Sequence, residues 1–209
     1  HGAQLVGVGQ VAVVTAREEA LPVLDREGLR LDYAFADYRF LSAMDLNAGI
    51  RLGRVKNPYG FHNDSRDVVF TRPGVLLPGS VYFEGSGVRS LLFSSDGGQL
   101  YGGWNLDDHY LSAIVSRALD FEASEDQERS LFGGSFPGSI DIDGLTVARL
   151  MDEWAGGIWR AALTYTSAEL SLDPSPGVPV SGAFDADLYV ASVAYNAERY
   201  SVTAEYLLT

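Results

Sequence analysis

Six cations crowd one stretch of an otherwise acidic chain. From Arg51 to Arg89 stand Arg51, Arg54, Lys56, Arg66, Arg72 and Arg89 against Asp64, Asp67 and Glu84, a net of +3 where the rest of the chain carries −16. Guanidinium groups facing carboxylates across a narrow opening make a transverse field that sorts solutes by charge and dipole. Arg51 lies on the polar side of an alternating run, and Arg51, Arg54 and Lys56 are expected to line such an opening and to favour anionic or dipolar solutes, carboxylates for example. Arg66, Asp67 and Arg72 are read first as fork-like pairs that pin a loop to a wall. Arg160 and Glu205, each on a polar strand face, are further lining candidates.

Other chemistries lack their residues. Gly7-x-Gly9-x-x-Ala12 mimics a dinucleotide fingerprint, but that motif must open a helix, and Val11, Val13, Val14 and Thr15 continue a strand instead. There is no GxSxG elbow. His62 and His109 lie far apart and read as loop residues. Asp141-x-Asp143-Gly144 is a fragment of a calcium-loop pattern without the other ligands, and a turn is expected there. Asn63-Asp64-Ser65 fits a glycosylation sequon and carries no argument. With no cysteine, a disulfide framework, a CxxC pair and a thiolate metal site are excluded. No enzyme activity, metal or cofactor is expected.

The elements that would position the cations show period two, and period 3.6 is hard to find. In the run from Tyr200 to Leu208, one face reads Tyr200, Val202, Ala204, Tyr206, Leu208 and the other Ser201, Thr203, Glu205. Leu188 to Tyr195, Trp159 to Thr166 and Leu46 to Gly53 follow the same rule, which marks half-polar strands. In three of them aromatics bracket the apolar face at a spacing of six: Trp159/Tyr165, Tyr189/Tyr195 and Tyr200/Tyr206. Six residues span about 20 Å of strand, or roughly 15 Å of height when tilted, against an apolar membrane band of about 25 Å. These six are read as a lipid-facing aromatic girdle.

Strands are expected at 4–15, 29–41, 46–55, 88–104, 109–117, 144–153, 158–170, 187–195 and 200–208, with 94–98 as a place where the fourth could split. The links alternate short (Ser42–Asp45, Asn105–Asp108, Trp154–Gly157, Asn196–Arg199) and long (Ala16–Gly28, Lys56–Gly87, Ala118–Asp143, Ser171–Ala186). Outer-membrane barrels keep that beat, with short periplasmic turns and long external loops. The long links hold the prolines and the acidic run from Phe121 to Glu128.

Composition agrees. The net charge of −13 argues against a nucleic-acid binder, and 23 glycines argue against a helical protein. No apolar run approaches the roughly 18 residues that a membrane-spanning helix needs. The 11 Tyr and 10 Phe are prominent, and Lys56 is the one lysine.

The run from Arg51 to Gly103 is the most distinctive. It reads Arg51-Leu-Gly-Arg54, Lys56-Asn-Pro-Tyr-Gly-Phe61, Asn63-Asp-Ser-Arg-Asp67, Phe70-Thr-Arg-Pro73, Leu76-Leu-Pro78, Val81-Tyr82 and Ser95-Asp-Gly-Gly-Gln-Leu-Tyr-Gly102. It resembles a family of Gram-negative porin-like outer-membrane proteins about twice this length, as does the tail from Tyr195 to Tyr206. The likeness covers most of the chain, patchily between Asp107 and Tyr189. It implies a porin-like barrel whose loop after the third strand, here 56–87, folds inward.

The expectation is therefore an all-β, antiparallel up-and-down transmembrane barrel. Residues 1–209 form a single segment of about nine strands, the N-terminal half of a larger even-stranded barrel. The expected function is passive diffusion of small polar, anionic or dipolar solutes, with outer-membrane lipid and a second copy as partners. The rival is a soluble β-rich ligand-binding module, in which Trp159, Tyr189 and Tyr200 would point between two sheets.

Overall fold

The computed structural model describes residues 8–17, 30–63, 79–82, 92–123, 128, 138–175 and 181–209. Its elements are β1 (Val8–Arg17), β2 (Arg30–Ser42), β3 (Leu46–Lys56), α1 (Gly79–Tyr82), β4 (Ser94–Leu106), β5 (His109–Ala118), β6 (Phe121–Glu122), β7 (Gly138–Trp154), β8 (Trp159–Pro174), β9 (Gly182–Asn196) and β10 (Ser201–Leu208). Nine of the strands follow one another in chain order within one sheet, each antiparallel to the next, while the two-residue β6 pairs with β7. The chain is all-β and up-and-down. The sheet is not closed: among the described residues β1 pairs with β2 alone and β10 with β9 alone. Every step is antiparallel, so the ninth strand, β10, runs in the same direction as β1.

Short connections gather at one end. Asp107 (φ 51) and Asp108 turn the β4–β5 hairpin, where the twist of paired strands favours left-handed backbone. Ala155, Gly156 and Gly157 (φ 53, 66 and 85) turn β7 into β8, and two of the three are glycine because an L side chain is strained there. The strand ends that flank 18–29, 57–93, 119–137 and 175–181 all lie at the other end.

Four strands depart from expectation, and a short one, β6, lies within a link expected to be loop. β8 runs on to Pro174, four residues beyond 170. β4 begins at Ser94, not 88, and pairs with β3 through Lys56↔Ser94 without a register shift, so 94–98 neither bulges nor splits it. β7 and β9 begin at Gly138 and Gly182, five or six residues early. The Asp141–Gly144 run is therefore strand, with a bulge between Asp143 and Thr146 and Gly144 at φ +67, and not a turn.

The sheet has two unlike faces. On the outer one Leu52, Leu100, Val115, Leu150, Leu163, Val193 and Val202 are exposed. On the inner one Gln99, Ser116, Arg149, Thr164, Thr166 and Ser192 are buried. The core lies between the inner face and the segments that cover it: Tyr59, Val81, Tyr82 and Leu92 pack on Ile140, Ile142, Leu145, Val147, Leu170 and Val190. The inner face is thus apolar towards the long links and polar further down, a gradient that strict alternation does not predict.

Candidate functional site

Residues 57–63 leave β3 and lie buried on the inner face. Their start is fixed to β4: Ser95 Oγ donates to Asn57 Oδ1 at 3.0 Å, and Asn63 Nδ2 donates to the carbonyls of Asn57 (2.6 Å) and Phe93 (3.1 Å). The segment then reaches strands far from β3. Arg149 Nη1 on β7 donates to the Gly60 carbonyl at 2.9 Å. Phe61 packs on Ala162 and Ala194, with the Arg160 guanidinium 5.1 Å from its ring. Its N–H donates to Glu205 Oε1 on β10 at 2.9 Å. Burial, and next the negative charge of Glu205, push the Tyr59 phenol up to about 12 and the Tyr82 phenol up as well.

A second polar group occupies the inner face from β2 to β5, where four side chains form a row. Arg51 Nε donates to Asp37 Oδ2 at 2.9 Å and Nη1 to Gln99 Oε1 at 2.7 Å. Gln99 Nε2 then donates to Ser116 Oγ at 3.0 Å and to the Lys56 carbonyl at 2.9 Å. The guanidinium lies 4.5 Å from the Tyr101 ring and 5.3 Å from that of Phe35, and the Tyr101 hydroxyl donates to Asp37 Oδ1 at 2.7 Å. Tyr101 can lie flat because Gly49 has no side chain: a Cβ there would overlap its ring. Beside this row is a cleft of about 170 Å³ lined by Tyr33, Phe35, Arg51, Lys56, Gln99 and Ile114. Two cations among aromatic rings and an amide can hold a small carboxylate by charge and by stacking.

The expected lining residues divide. Arg51 belongs to the inner row. Lys56, the last residue of β3, stands by register on the side of Leu52, yet its long side chain at the strand end lines the cleft with Arg51, the ammonium 4.3 Å from the Tyr33 ring. Arg54 is a correction. It pairs in register with Asp96 in an unbroken ladder, on the side of Leu52 and opposite to Arg51, and its Nη1 lies 3.9 Å from Asp96 Oδ2. It stands three positions from Arg51, an odd step that period two places on the opposite face. Arg160 and Glu205 are both on the inner face, and Arg160 pairs with Glu153 at 3.1 Å. Arg66, Asp67 and Arg72 lie outside the described residues.

The aromatics stand on the outer face. Trp159 faces Tyr195 across β8 and β9, and Tyr165 faces Tyr189. At the short-turn end Trp154, Trp159, Tyr195 and Tyr200 follow one another with ring centroids 6.2, 4.6 and 6.0 Å apart. Tyr206 is the exception: it is on the outer face but opposite Ala191, while Leu208 stands opposite Tyr189. Trp159, Tyr189 and Tyr200 are 40%, 43% and 61% exposed.

Asp37, Gln99, Tyr101, Arg149, Ser192 and Tyr82 take part in these networks without having been foreseen. Arg149 had a signal, a lone cation between Ala148 and Leu150 on an alternating strand. Tyr82 had none.

Fold and site together define an antiparallel up-and-down β-sheet protein with an apolar outer face and a polar inner face crossed by its own loop. No family model, curated protein or solved structure matches the chain.

Proposed function

We propose that the chain is part of the wall of a larger, even-stranded outer-membrane barrel of the porin type, which passes small polar solutes, with preference for anionic or dipolar ones. One observation carries this reading: the apolar side chains of a single sheet point away from the protein's own core, with Leu52, Leu163 and Val202 at 56%, 56% and 59% exposed. A soluble sandwich buries that face against a second sheet, and the described residues form one sheet. Hydrocarbon is the solvent in which such a face is stable. The parallel sense of β1 and β10 also supports a larger wall. Direct closure would pair them parallel, whereas an odd number of added strands makes every pairing antiparallel and the total even. A second copy inserted in the same orientation offers no antiparallel edge to β10. The Arg51–Lys56 cleft and the inner Arg149 and Arg160 support the preference for anions.

The three tryptophans, Trp104, Trp154 and Trp159, lie on the outer face and are native probes. In vesicles, lipids brominated on their acyl chains should quench all three, and the complete barrel should conduct across a planar bilayer. A monomer soluble in plain buffer whose tryptophans ignore brominated lipid overturns the reading.

A further inference from the structure

We propose that Glu205 is a positioning residue that sets the width of the passage by holding the 57–63 segment against the inner face. The proposal rests on the porin reading and deepens it. Glu205 is the one charged residue of β10, and its Oε1 gathers three donors from three elements. It accepts from the Phe61 backbone N–H at 2.9 Å, from the Tyr82 hydroxyl at 3.0 Å and from the Ser192 hydroxyl at 2.9 Å. The Tyr82 hydroxyl in turn accepts from the His62 N–H at 2.9 Å. Two consecutive loop amides therefore end on one carboxylate oxygen, one directly and one through a phenol. Bonds to an ionised acceptor are roughly twice as strong as neutral ones.

The fit is close. Gly60 sits at φ +59, and a Cβ there would come within 2.5 Å of the Tyr82 hydroxyl and 3.0 Å of Glu205 Oε1. Phe61 and His62 are buried, so without the carboxylate the Phe61 N–H loses its acceptor where water cannot replace it, and the Tyr82 hydroxyl that accepts from the His62 N–H loses its own anchor. The segment must then lift from the β7–β10 wall. It lies over that half of the inner face, and the cleft beside Arg51 belongs to the β2–β5 half. The position of the segment relative to β10 thus decides how much room remains between the two.

The test uses the complete barrel carrying this sequence, with Glu205→Ala, Glu205→Gln and Tyr82→Phe beside the parent. Amide exchange reads the segment; bilayer conductance and the size cut-off for neutral polymers read the passage. In Glu205→Ala the Phe61 and His62 amides should exchange roughly tenfold faster or more, with conductance and cut-off both raised. Glu205→Gln keeps an acceptor oxygen and should fall between. Tyr82→Phe should free the His62 amide and leave that of Phe61 slow. If Glu205→Ala does not fold, the same comparison is read from the other two variants. Loop amides that stay slow in both Glu205 variants overturn the proposal. So do faster amides with unchanged conductance and cut-off, while the porin reading stands. A parent barrel that carries no current overturns the porin reading, and the aperture role with it.

Discussion

Trp159 of β8 and Tyr195 of β9 stand directly opposite one another on the outer face, with ring centroids 4.6 Å apart. Six residues along, Tyr165 and Tyr189 repeat the arrangement at 5.0 Å. Only Ala, Leu and Val face outward between the two pairs: Ala161 opposite Val193, and Leu163 opposite Ala191. Beyond the second pair the outward residues turn acidic. Tyr165 donates to Asp187 at 2.7 Å, and Asp143, Glu169 and Asp185 follow in one row across three strands. Like charges directly opposite destabilise a sheet, so that row must sit in water. The outer surface is therefore zoned by height: aromatic, apolar, aromatic, wet.

That zoning gives opposite expectations for one substitution. Leu163 is in the middle of the apolar zone and points outward. In a bilayer, Leu163→Arg should destabilise by about 2–4 kcal/mol, the range for a cation near the midplane. On a soluble module an exposed substitution changes stability by roughly 0.5 kcal/mol or less. Denaturant titration in lipid vesicles, with Asp185→Arg in the wet zone as control, separates the two. Equal and negligible effects at both positions would remove the apolar zone from contact with lipid.

Arg51 and Asp37 make the second case. Arg51→Ala removes the cation of the inner row and leaves Asp37 facing the cleft. A unit charge a few ångströms from a permeating ion is worth about 1 kcal/mol at water-like screening, roughly fivefold for either ion and, since anion and cation shift in opposite senses, about 25-fold in their ratio. The anion-to-cation permeability ratio, taken from reversal potentials under a salt gradient, should fall by that order. Asp37→Asn should move it the other way. The same sign for both would mean that the row is structural and not seen by the solute.

How much of this was legible in the sequence follows from where alternation holds. It located Leu46 to Gly53 of β3, Trp159 to Thr166 of β8, Leu188 to Tyr195 of β9 and all of β10 because their outward residues are apolar or aromatic and most of their inward ones polar or small. It failed at the starts of β7 and β9, where the strands climb past the aromatic level. There Asp141, Asp143, Asp185 and Asp187 face outward while Ile140, Ile142, Ala186 and Leu188 face the core, so the alternation continues with its sense reversed: acidic outside, apolar inside. Acidic residues at every second position make such a strand look like a loop when charge is counted instead of alternation. The error at Arg54 was one of parity, and strict counting from Arg51 repairs it. The attachment of Phe61 to Glu205 joins residues 144 apart, and no local pattern carries a contact of that range.

Tyr59 and Tyr82 supply a pH prediction. Burial, with the charge of Glu205, raises the Tyr59 phenol from 10.0 to about 12, and Tyr82 moves in the same direction. A raised phenol pKa means that the docked segment keeps a proton which the released segment loses first. The contribution to docking is full below pH 10.0 and falls as pH rises through about 12. Above that the Tyr82 hydroxyl, once ionised, can no longer donate to Glu205. Alkaline titration of phenolate absorbance should therefore show a late component near pH 12 that Tyr59→Phe removes, and exchange at residues 57–63 should accelerate over the same window. Loss of early amplitude in Tyr59→Phe, near the ordinary phenol value, would mean that this ring is already in water and the segment is not held as described.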